Sequence, residues 1–250
     1  IRQAACSPLE IRGYSKGPGP VIPFSHSVRF MDGKYRSPTM VYARSPAILL
    51  LGLLVLVSCD VSINSSIVVP DGESRSGSMA TVNGDISIGN DCTIEASSSS
   101  VNGSVKVGDR SRVEDLSAVN GSIRIGEGVI VKGDIESVNG LVETGVGSEI
   151  SGNVGTVNGS IKLDHTIVQR DVRTVNGDIE LQDNSIVKGN VVIKGKDDIS
   201  KREQPIEIKV TGGSIIEGDV LVKRKVDVRL ILSEGGKVLG QVDGAEVIDN

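Results

Sequence analysis

The sequence predicts an all-β protein whose body is a single-stranded, three-sided parallel β-solenoid. The main observation is a repeat with spacings of 19, 18, 19, 19 and 18 residues, because the tripeptide Val-Asn-Gly begins at Val82, Val101, Val119, Val138, Val157 and Val175. A fixed period indicates stacked units that bury their apolar faces against one another. This period is too short for a helical hairpin but suits one coil of three sides, each with about five extended residues plus a corner.

The composition supports the same fold. All five aromatic residues precede Cys59, and no Phe, Tyr or Trp follows it. A globular core normally uses aromatic side chains for large buried area, whereas Val, Ile and Leu can fill a narrow solenoid lumen. From Cys59 onward there are 20 Lys and Arg against 30 Asp and Glu, and an acidic body without a basic stripe argues against a nucleic-acid partner. Three cysteines without a CxxC or Cys/His cluster predict neither a disulfide framework nor a metal site.

The first feature along the chain is a targeting segment. Arg44 precedes a twelve-residue apolar run over residues 46–57, which ends in small residues. This order is typical of a secretory signal peptide, and the run is short for a bilayer span. Met31 or Met40 would begin a normal signal peptide. We therefore expect residues 31–58 to be the signal peptide and residues 1–30 to be a non-native or disordered upstream segment.

The segment Leu56-Val57-Ser58-Cys59 resembles the lipobox of bacterial lipoproteins. The resemblance implies that the Cys59 thiol is acylated and that Cys59 becomes the new N-terminus, which would anchor the protein in the cell envelope. That envelope site is the periplasmic face of the inner or outer membrane, or the cell surface. An ordinary signal peptide with an incidental cysteine is the alternative. Residues 59–79, rich in Ser and Gly, are expected to be a flexible tether.

The coils follow over residues 80–250. In the coil that begins at Val119, Ile123 and Ile125 alternate with Ser122 and Arg124, which predicts one inward and one outward face. The same positions recur in the neighbouring coils as Val105, Val107 and Val113; as Val142, Thr144, Ile150 and Val154; and as Ile179, Leu181, Val187 and Val191. Beyond a loop insertion near residues 196–205, Ile206, Ile208, Val226 and Val228 are expected to continue them. About eight coils of 18–19 residues result.

The six repeated asparagines should superimpose at one corner as a structural ladder: Asn83, Asn102, Asn120, Asn139, Asn158 and Asn176. Asn followed by Gly tolerates the positive φ angles of a tight corner, and stacked amides can hydrogen-bond along the axis. Two alternatives stay open. The row could bind a ligand or carbohydrate, or Asn-Gly could mark the turns of an antiparallel meander, although the serine-rich residues 96–100 lack the alternation that a hairpin strand needs.

Three segments, residues 124–135, 184–191 and 213–220, resemble the repeats of bactofilins, the polymer-forming bacterial cytoskeletal family, and the likeness extends over residues 80–245. The resemblance implies a right-handed, three-sided β-helix that assembles end to end and has neither catalytic residues nor a cofactor. The lipobox and the Val-Asn-Gly corner depart from that family.

The expected function is that of a non-catalytic, lipid-anchored envelope protein, a structural, scaffolding or adhesive module that forms homo-oligomers through its terminal coils. Binding of an envelope glycan or protein is the alternative. Hexapeptide acyltransferases also use 18-residue coils, but they place a catalytic histidine between subunits, and His165 is the only histidine after Cys59. It lies in a corner segment and is expected to be a solvated surface residue. No catalytic or metal-binding residue is predicted.

Overall fold

The computed structural model describes residues 59–195 and 204–250, and these contain 29 strands and no helix. The strands form three parallel sheets, one for each side of the solenoid. Sheet A contains β1 (Cys59–Ser62), β4 (Ser78–Thr81), β7 (Ser98–Ser100), β10 (Leu116–Ala118), β13 (Ile135–Ser137), β16 (Val154–Thr156), β19 (Val172–Thr174), β22 (Val191–Ile193), β25 (Val220–Val222) and β28 (Val242–Asp243).

Sheet B contains β2 (Ile67–Val69), β5 (Ile86–Ile88), β8 (Val105–Val107), β11 (Ile123–Ile125), β14 (Val142–Thr144), β17 (Ile161–Asp164), β20 (Ile179–Gln182), β23 (Ile206–Val210), β26 (Val228–Leu232) and β29 (Glu246–Asp249). Sheet C contains β3 (Ser74–Arg75), β6 (Thr93–Ile94), β9 (Arg112–Val113), β12 (Ile130–Val131), β15 (Glu149–Ile150), β18 (Ile167–Val168), β21 (Ile186–Val187), β24 (Ile215–Ile216) and β27 (Lys237–Val238).

Each strand pairs in parallel with the strand three places further along the chain, so the chain winds A, B, C and back to A. We number the coils 1 to 10, each beginning with its strand of sheet A. Nine coils are three-sided, and the tenth contains only β28 and β29. The predicted three-sided β-solenoid is confirmed, and the parallel pairing excludes the antiparallel meander. The count of about eight coils was too low, since there are about ten.

The extra coil at the N-terminal end lies where a flexible tether was expected. Residues 59–79 instead form β1, β2, β3 and the start of β4, and β2 pairs with β5 so that Ile67 and Val69 lie beside Ile86 and Ile88. These two aliphatic residues supply the inward positions of a coil. The serines and glycines that suggested flexibility lie largely in the corners, where small polar residues suit a turn.

The lumen is aliphatic throughout the central coils. Ile123, Val131 and Ile135 are fully buried, whereas Arg124 is exposed, so the predicted inward and outward faces are confirmed. Each fully buried Ile or Val contributes about 1.5–3 kcal/mol to folding. The inward set continues in equivalent positions from coil 2 to coil 9.

The register after coil 7 differs from the prediction by two residues in coil 8 and by four residues in coil 9. Ile208 and Val210 pair with Ile179 and Leu181, so they occupy the positions expected for Ile206 and Ile208. In the next coil Leu230 and Leu232 take the positions expected for Val226 and Val228. A longer strand causes the shift in coil 8, because β23 has five residues where the sheet B strands of coils 1 to 5 have three. In coil 9, β26 also has five residues, and Val226 precedes it.

The pairing step between sheet B strands is 18 or 19 residues in the repeats and becomes 29 residues between Ile179 and Ile208. The additional residues enter between β22 and β23. Residues 196–203 of the expected insertion lie outside the described residues, as do the expected upstream segment 1–30 and the signal peptide 31–58.

Candidate functional site

The asparagines of the Val-Asn-Gly repeat lie in one row at the corner between sheets A and B. Each amide Nδ2 donates a hydrogen bond to the Oδ1 atom of the asparagine one coil earlier, at 2.7–3.0 Å. The row contains the six expected residues and begins one coil earlier, at Asn64. Asn64 was missed because it is flanked by Ile63 and Ser65 and belongs to the segment expected to be a tether.

The glycines of the repeat are required for a reason other than the positive φ that the sequence suggested. Only Asn64 (φ 59°) and Asn83 (φ 65°) of the row are left-handed, and none of the following glycines is. A Cβ atom on Gly121 would lie 2.0 Å from the carbonyl oxygen of Gly103 in the coil below. Consecutive coils therefore approach so closely at this corner that no side chain fits.

The asparagine ladder ends on an arginine that skips one coil. Arg224, in coil 9, donates from Nη1 to Asn176 Oδ1 at 2.8 Å and to the Val175 carbonyl oxygen at 3.1 Å, both in coil 7. Gly195 lies at this corner in coil 8, and a Cβ atom there would be 2.8 Å from Arg224 Cδ. The missing side chain at Gly195 leaves room for the arginine. No sequence signal linked residues 48 apart across a loop insertion.

The other two corners carry ladders of a different kind. At the corner between sheets C and A, Asp134 Oδ1 accepts from the Asn153 backbone N–H at 2.6 Å, and Asn190 Oδ1 accepts from that of Asp219 at 2.8 Å. At the corner between sheets B and C, Asn90 Oδ1 accepts from the Asp109 N–H at 2.8 Å. The signal for the first was the recurrent Gly followed by Asp or Asn just before the sheet A strands β13, β16, β22 and β25.

Asp171 belongs to this C-to-A corner and is the most buried of the carboxylates with a shifted pKa. Its burial acts to raise the pKa, but the Asn190 backbone N–H and the Arg173 guanidinium, 2.8 Å away, outweigh that effect. The pKa of Asp171 is therefore lowered from its usual value. The carboxylate stays ionised and serves the corner as a hydrogen-bond acceptor.

The asparagine row has limited capacity to bind a ligand. Each internal amide uses its Oδ1 and one of its two amide hydrogens within the ladder. The bonds lie along the axis, so each amide offers outward at most one N–H and the second lone pair of its Oδ1. This geometry favours the structural interpretation of the row over a carbohydrate site.

Sheet A carries a shallow groove on its outward face, with a volume of about 250 Å³. Its walls include Glu136, Val157 and Arg173, and its floor includes Gly155. A Cβ atom on Gly155 would meet nothing closer than 3.9 Å, unlike the corner glycines. Gly155 is thus not required by crowding, and its effect is to leave a notch between side chains of opposite charge.

His165 and Cys59 lie far apart in the order of coils. His165 is exposed at a corner of coil 6 with φ 43°, and its backbone N–H bonds to the Gln182 carbonyl oxygen at 3.2 Å. Cys59 is the first residue of β1 and of coil 1. Within residues 59–195 and 204–250, no group of three or more His, Cys, Asp or Glu is arranged to hold a metal ion.

These coils and ladders define a parallel β-solenoid, a fold compatible with the bactofilin-like repeat. No protein-family model matches the chain, and no curated protein and no solved structure is significantly similar to it. In the part of the chain that the structure describes, no helix is long and apolar enough to cross a membrane.

Proposed function

We propose that this protein is a non-catalytic, lipid-anchored protein of the bacterial envelope whose solenoid acts as a structural, scaffolding or adhesive module. In this proposal Cys59 carries the lipid, and the solenoids associate end to end through their C-terminal coils, in the manner of bactofilins. The observation that carries the proposal is the difference between the two ends of the solenoid.

The N-terminal end of the lumen is covered by charged side chains. Asp60 and Arg75 take the inward positions that Met79 and Ile94 take in coil 2. Arg75 Nη1 lies 3.0 Å from Asp60 Oδ2, and Arg75 Nε lies 3.2 Å from Glu73 Oε1. Stacking another coil on this end would bury three charged groups, which is costly. The charges therefore oppose association at this end.

The C-terminal end has aliphatic residues at most of its inward positions. Val242 and Val247 lie opposite Val220 and Leu230, and Val247 is 51% exposed. Asp249 is the one charged residue in this inward set of the last coil. The last strands β28 and β29 also present a backbone edge that can pair with a further strand. Two such ends meeting would form a two-fold symmetric pair.

Substituting Val247→Asp is expected to weaken self-association by about tenfold or more, equivalent to at least ~1.4 kcal/mol, because the interface would bury an unpaired carboxylate. Light scattering over a range of protein concentrations measures this change in the full chain with Cys59→Ser, which removes the acylation site. Val68→Asp is the matched control, since Val68 is 64% exposed at the opposite end. A monomer at every concentration, or equal effects of both variants, would contradict end-to-end association.

The second candidate function is binding of an envelope glycan or protein, and the groove at Gly155 favours it. The notch is open, and Glu136 and Arg173 offer an acceptor and donors on either side. A protein that stays monomeric in light scattering and is retained on insoluble peptidoglycan would favour this function over self-association.

The lipid anchor is tested by Cys59→Ser, which is expected to abolish incorporation of radiolabelled palmitate and to move the protein out of the membrane fraction. The reason is chemical, because the acyl group needs the thiol as its acceptor. Cys92→Ser is the control, since Cys92 is buried in coil 2 and is only 1% exposed. Continued labelling and membrane fractionation of Cys59→Ser would show that the lipobox assignment is wrong.

A further inference from the structure

A row of aliphatic side chains runs along the outside of the corner between sheets A and B, with one residue in each of coils 1 to 7. We call it the aliphatic ridge. It begins with Ile63, which is 70% exposed, and four of its valines are 37–40% exposed, while the other two are half-buried. It consists of Ile63 and the valines of the repeated tripeptide, Val82, Val101, Val119, Val138, Val157 and Val175.

The backbone does not require aliphatic residues at the ridge. In coils 8 and 9 the same position is occupied by Lys194 and Lys223. Their backbone N–H groups donate to the carbonyl oxygens of Thr174 and Ile193 in the coil below, at 2.7 and 2.9 Å. Val101 makes the equivalent bond to Thr81 at 3.0 Å. A polar residue therefore supports the same coil geometry. The repeated valine adds apolar surface that faces solvent, and such surface at seven successive coils is a mark of an interaction site.

The surroundings of the ridge are uncharged on both sides in coils 2 to 4. The asparagine ladder lies on one side, and Ala80, Ser99 and Ser117 lie at the outward positions of sheet A on the other. The outward row of sheet B, by contrast, carries Lys106, Arg124 and Glu143. Among the surfaces beside this corner, the ridge is the one that can lose water at low cost.

The two ends of the ridge differ in a way that suits a membrane. Ile63 is four residues from Cys59, the proposed site of the lipid. The ridge ends at Val175, six rungs or about 29 Å away at the spacing of parallel strands, and in the next two coils Lys194 and Lys223 are exposed beside Arg224. Cations near a membrane surface are attracted to anionic lipid headgroups.

We infer that the aliphatic ridge is a lipid-contact surface and that coils 1 to 7 lie along the membrane. The ridge sits at the level of the headgroups, its aliphatic side chains reach the acyl boundary, and the basic end contacts anionic headgroups. This inference rests on the proposed membrane anchorage, which it extends from a point attachment at Cys59 to contact along the length of the ridge.

The test compares two fluorescent labels in the same coil. Val119→Cys places an environment-sensitive dye on the ridge of coil 4, and Ile130→Cys places it on the outward face of sheet C of that coil. In the mature protein, which under the proposed function begins at acylated Cys59, Cys92 is 1% exposed, so the introduced cysteine is the thiol that the dye labels. The protein is reconstituted in vesicles of phosphatidylcholine and phosphatidylglycerol, some with spin-labelled lipids that quench the dye. We expect a blue shift and quenching of the label at position 119 and neither at position 130.

Val101→Thr, Val138→Thr and Val157→Thr together are expected to reduce quenching at position 119 to the level seen at position 130. The control, Ile167→Thr with Ile186→Thr, changes two half-buried outward residues of sheet C and should leave that quenching unchanged. Thermal unfolding of each variant verifies that the fold is retained. Flotation with the vesicles reports anchorage separately, so loss of the anchor and loss of ridge contact are distinguishable.

Two outcomes would overturn the inference. Protein that floats with the vesicles but shows no quenching at position 119 would mean that the solenoid stands away from the membrane. A blue shift at position 119 that appears without lipid and grows with protein concentration would mean that a second copy covers the ridge.

Discussion

Replacing Ile123 by aspartate is expected to unfold the central coils. Ile123 is fully buried in β11, where it lies between Val105 of coil 3 and Val142 of coil 5. An aspartate there would put an unpaired carboxylate among aliphatic side chains, with an expected loss of about 4–5 kcal/mol or more. In a solenoid each coil is stabilised by its two neighbours, so the damage spreads to the contacts of coils 3 and 5.

Arg124→Ser is the matched control for Ile123→Asp, because Arg124 is the next residue of the same strand and points outward. Its guanidinium lies 3.4 Å from Glu143, and both side chains are nearly half exposed. A pair of this kind contributes little, so the free energy of unfolding should change by no more than about 0.5 kcal/mol. Denaturant unfolding followed by circular dichroism measures both variants. Similar losses for the two would mean that the faces of β11 are assigned wrongly.

Gly121→Ala is also expected to be strongly destabilising. The added Cβ would lie 2.0 Å from the Gly103 carbonyl oxygen, and neither atom belongs to a flexible side chain. The two coils would have to separate at their corner, which disturbs the asparagine ladder, and we expect a loss of about 3 kcal/mol or more. The midpoint of denaturant unfolding should fall accordingly.

Gly155→Ala provides the contrast, since it makes the same chemical change in a strand of the same solenoid. The new Cβ would meet nothing closer than 3.9 Å. Because glycine within a strand costs about 0.5–1 kcal/mol relative to alanine, this variant should be slightly more stable. A destabilised Gly155→Ala, or a tolerated Gly121→Ala, would contradict close coil approach as the reason for the repeated glycine.

The fold could be predicted because the same pattern of inward and outward residues recurs in the sequence at a fixed spacing. Alternation such as Ile123, Arg124, Ile125 requires one residue inside and the next outside, and the period sets the length of one coil. Coil 1 escaped prediction because Ile67 and Val69 are a single aliphatic pair among serines, and only their pairing with β5 reveals a coil. The register was off by two residues in coil 8 because β23 is extended at its start, and by four in coil 9, where Val226 precedes β26. Alternation alone does not say which residues of a longer strand match the earlier ones.

The candidate surfaces were harder to predict than the core. The sequence indicated that asparagines stack, but it gave the wrong reason for the glycines, because close approach between coils is a property of two chain segments. The sequence also did not indicate whether the side chain of the tripeptide valine points into the lumen or toward solvent. Val101 and Thr81 have similar shapes, yet the valine is 40% exposed and the threonine 2%. The contacts of Arg224 could not be predicted, because they join coils 7 and 9 across an insertion whose length does not follow the period of the repeat.

The charged cover formed by Asp60, Glu73 and Arg75 also affects the order in which the solenoid comes apart. A quasi-one-dimensional array loses structure most readily from a terminus, where a coil has only one neighbour. The ion pair between Asp60 and Arg75 joins β1 to β3 and so links the first and last strands of coil 1. The tenth coil has only two sides. Fraying should therefore start at β28 and β29 and travel toward Cys59, which leaves the coils nearest the proposed membrane anchor as the last to open.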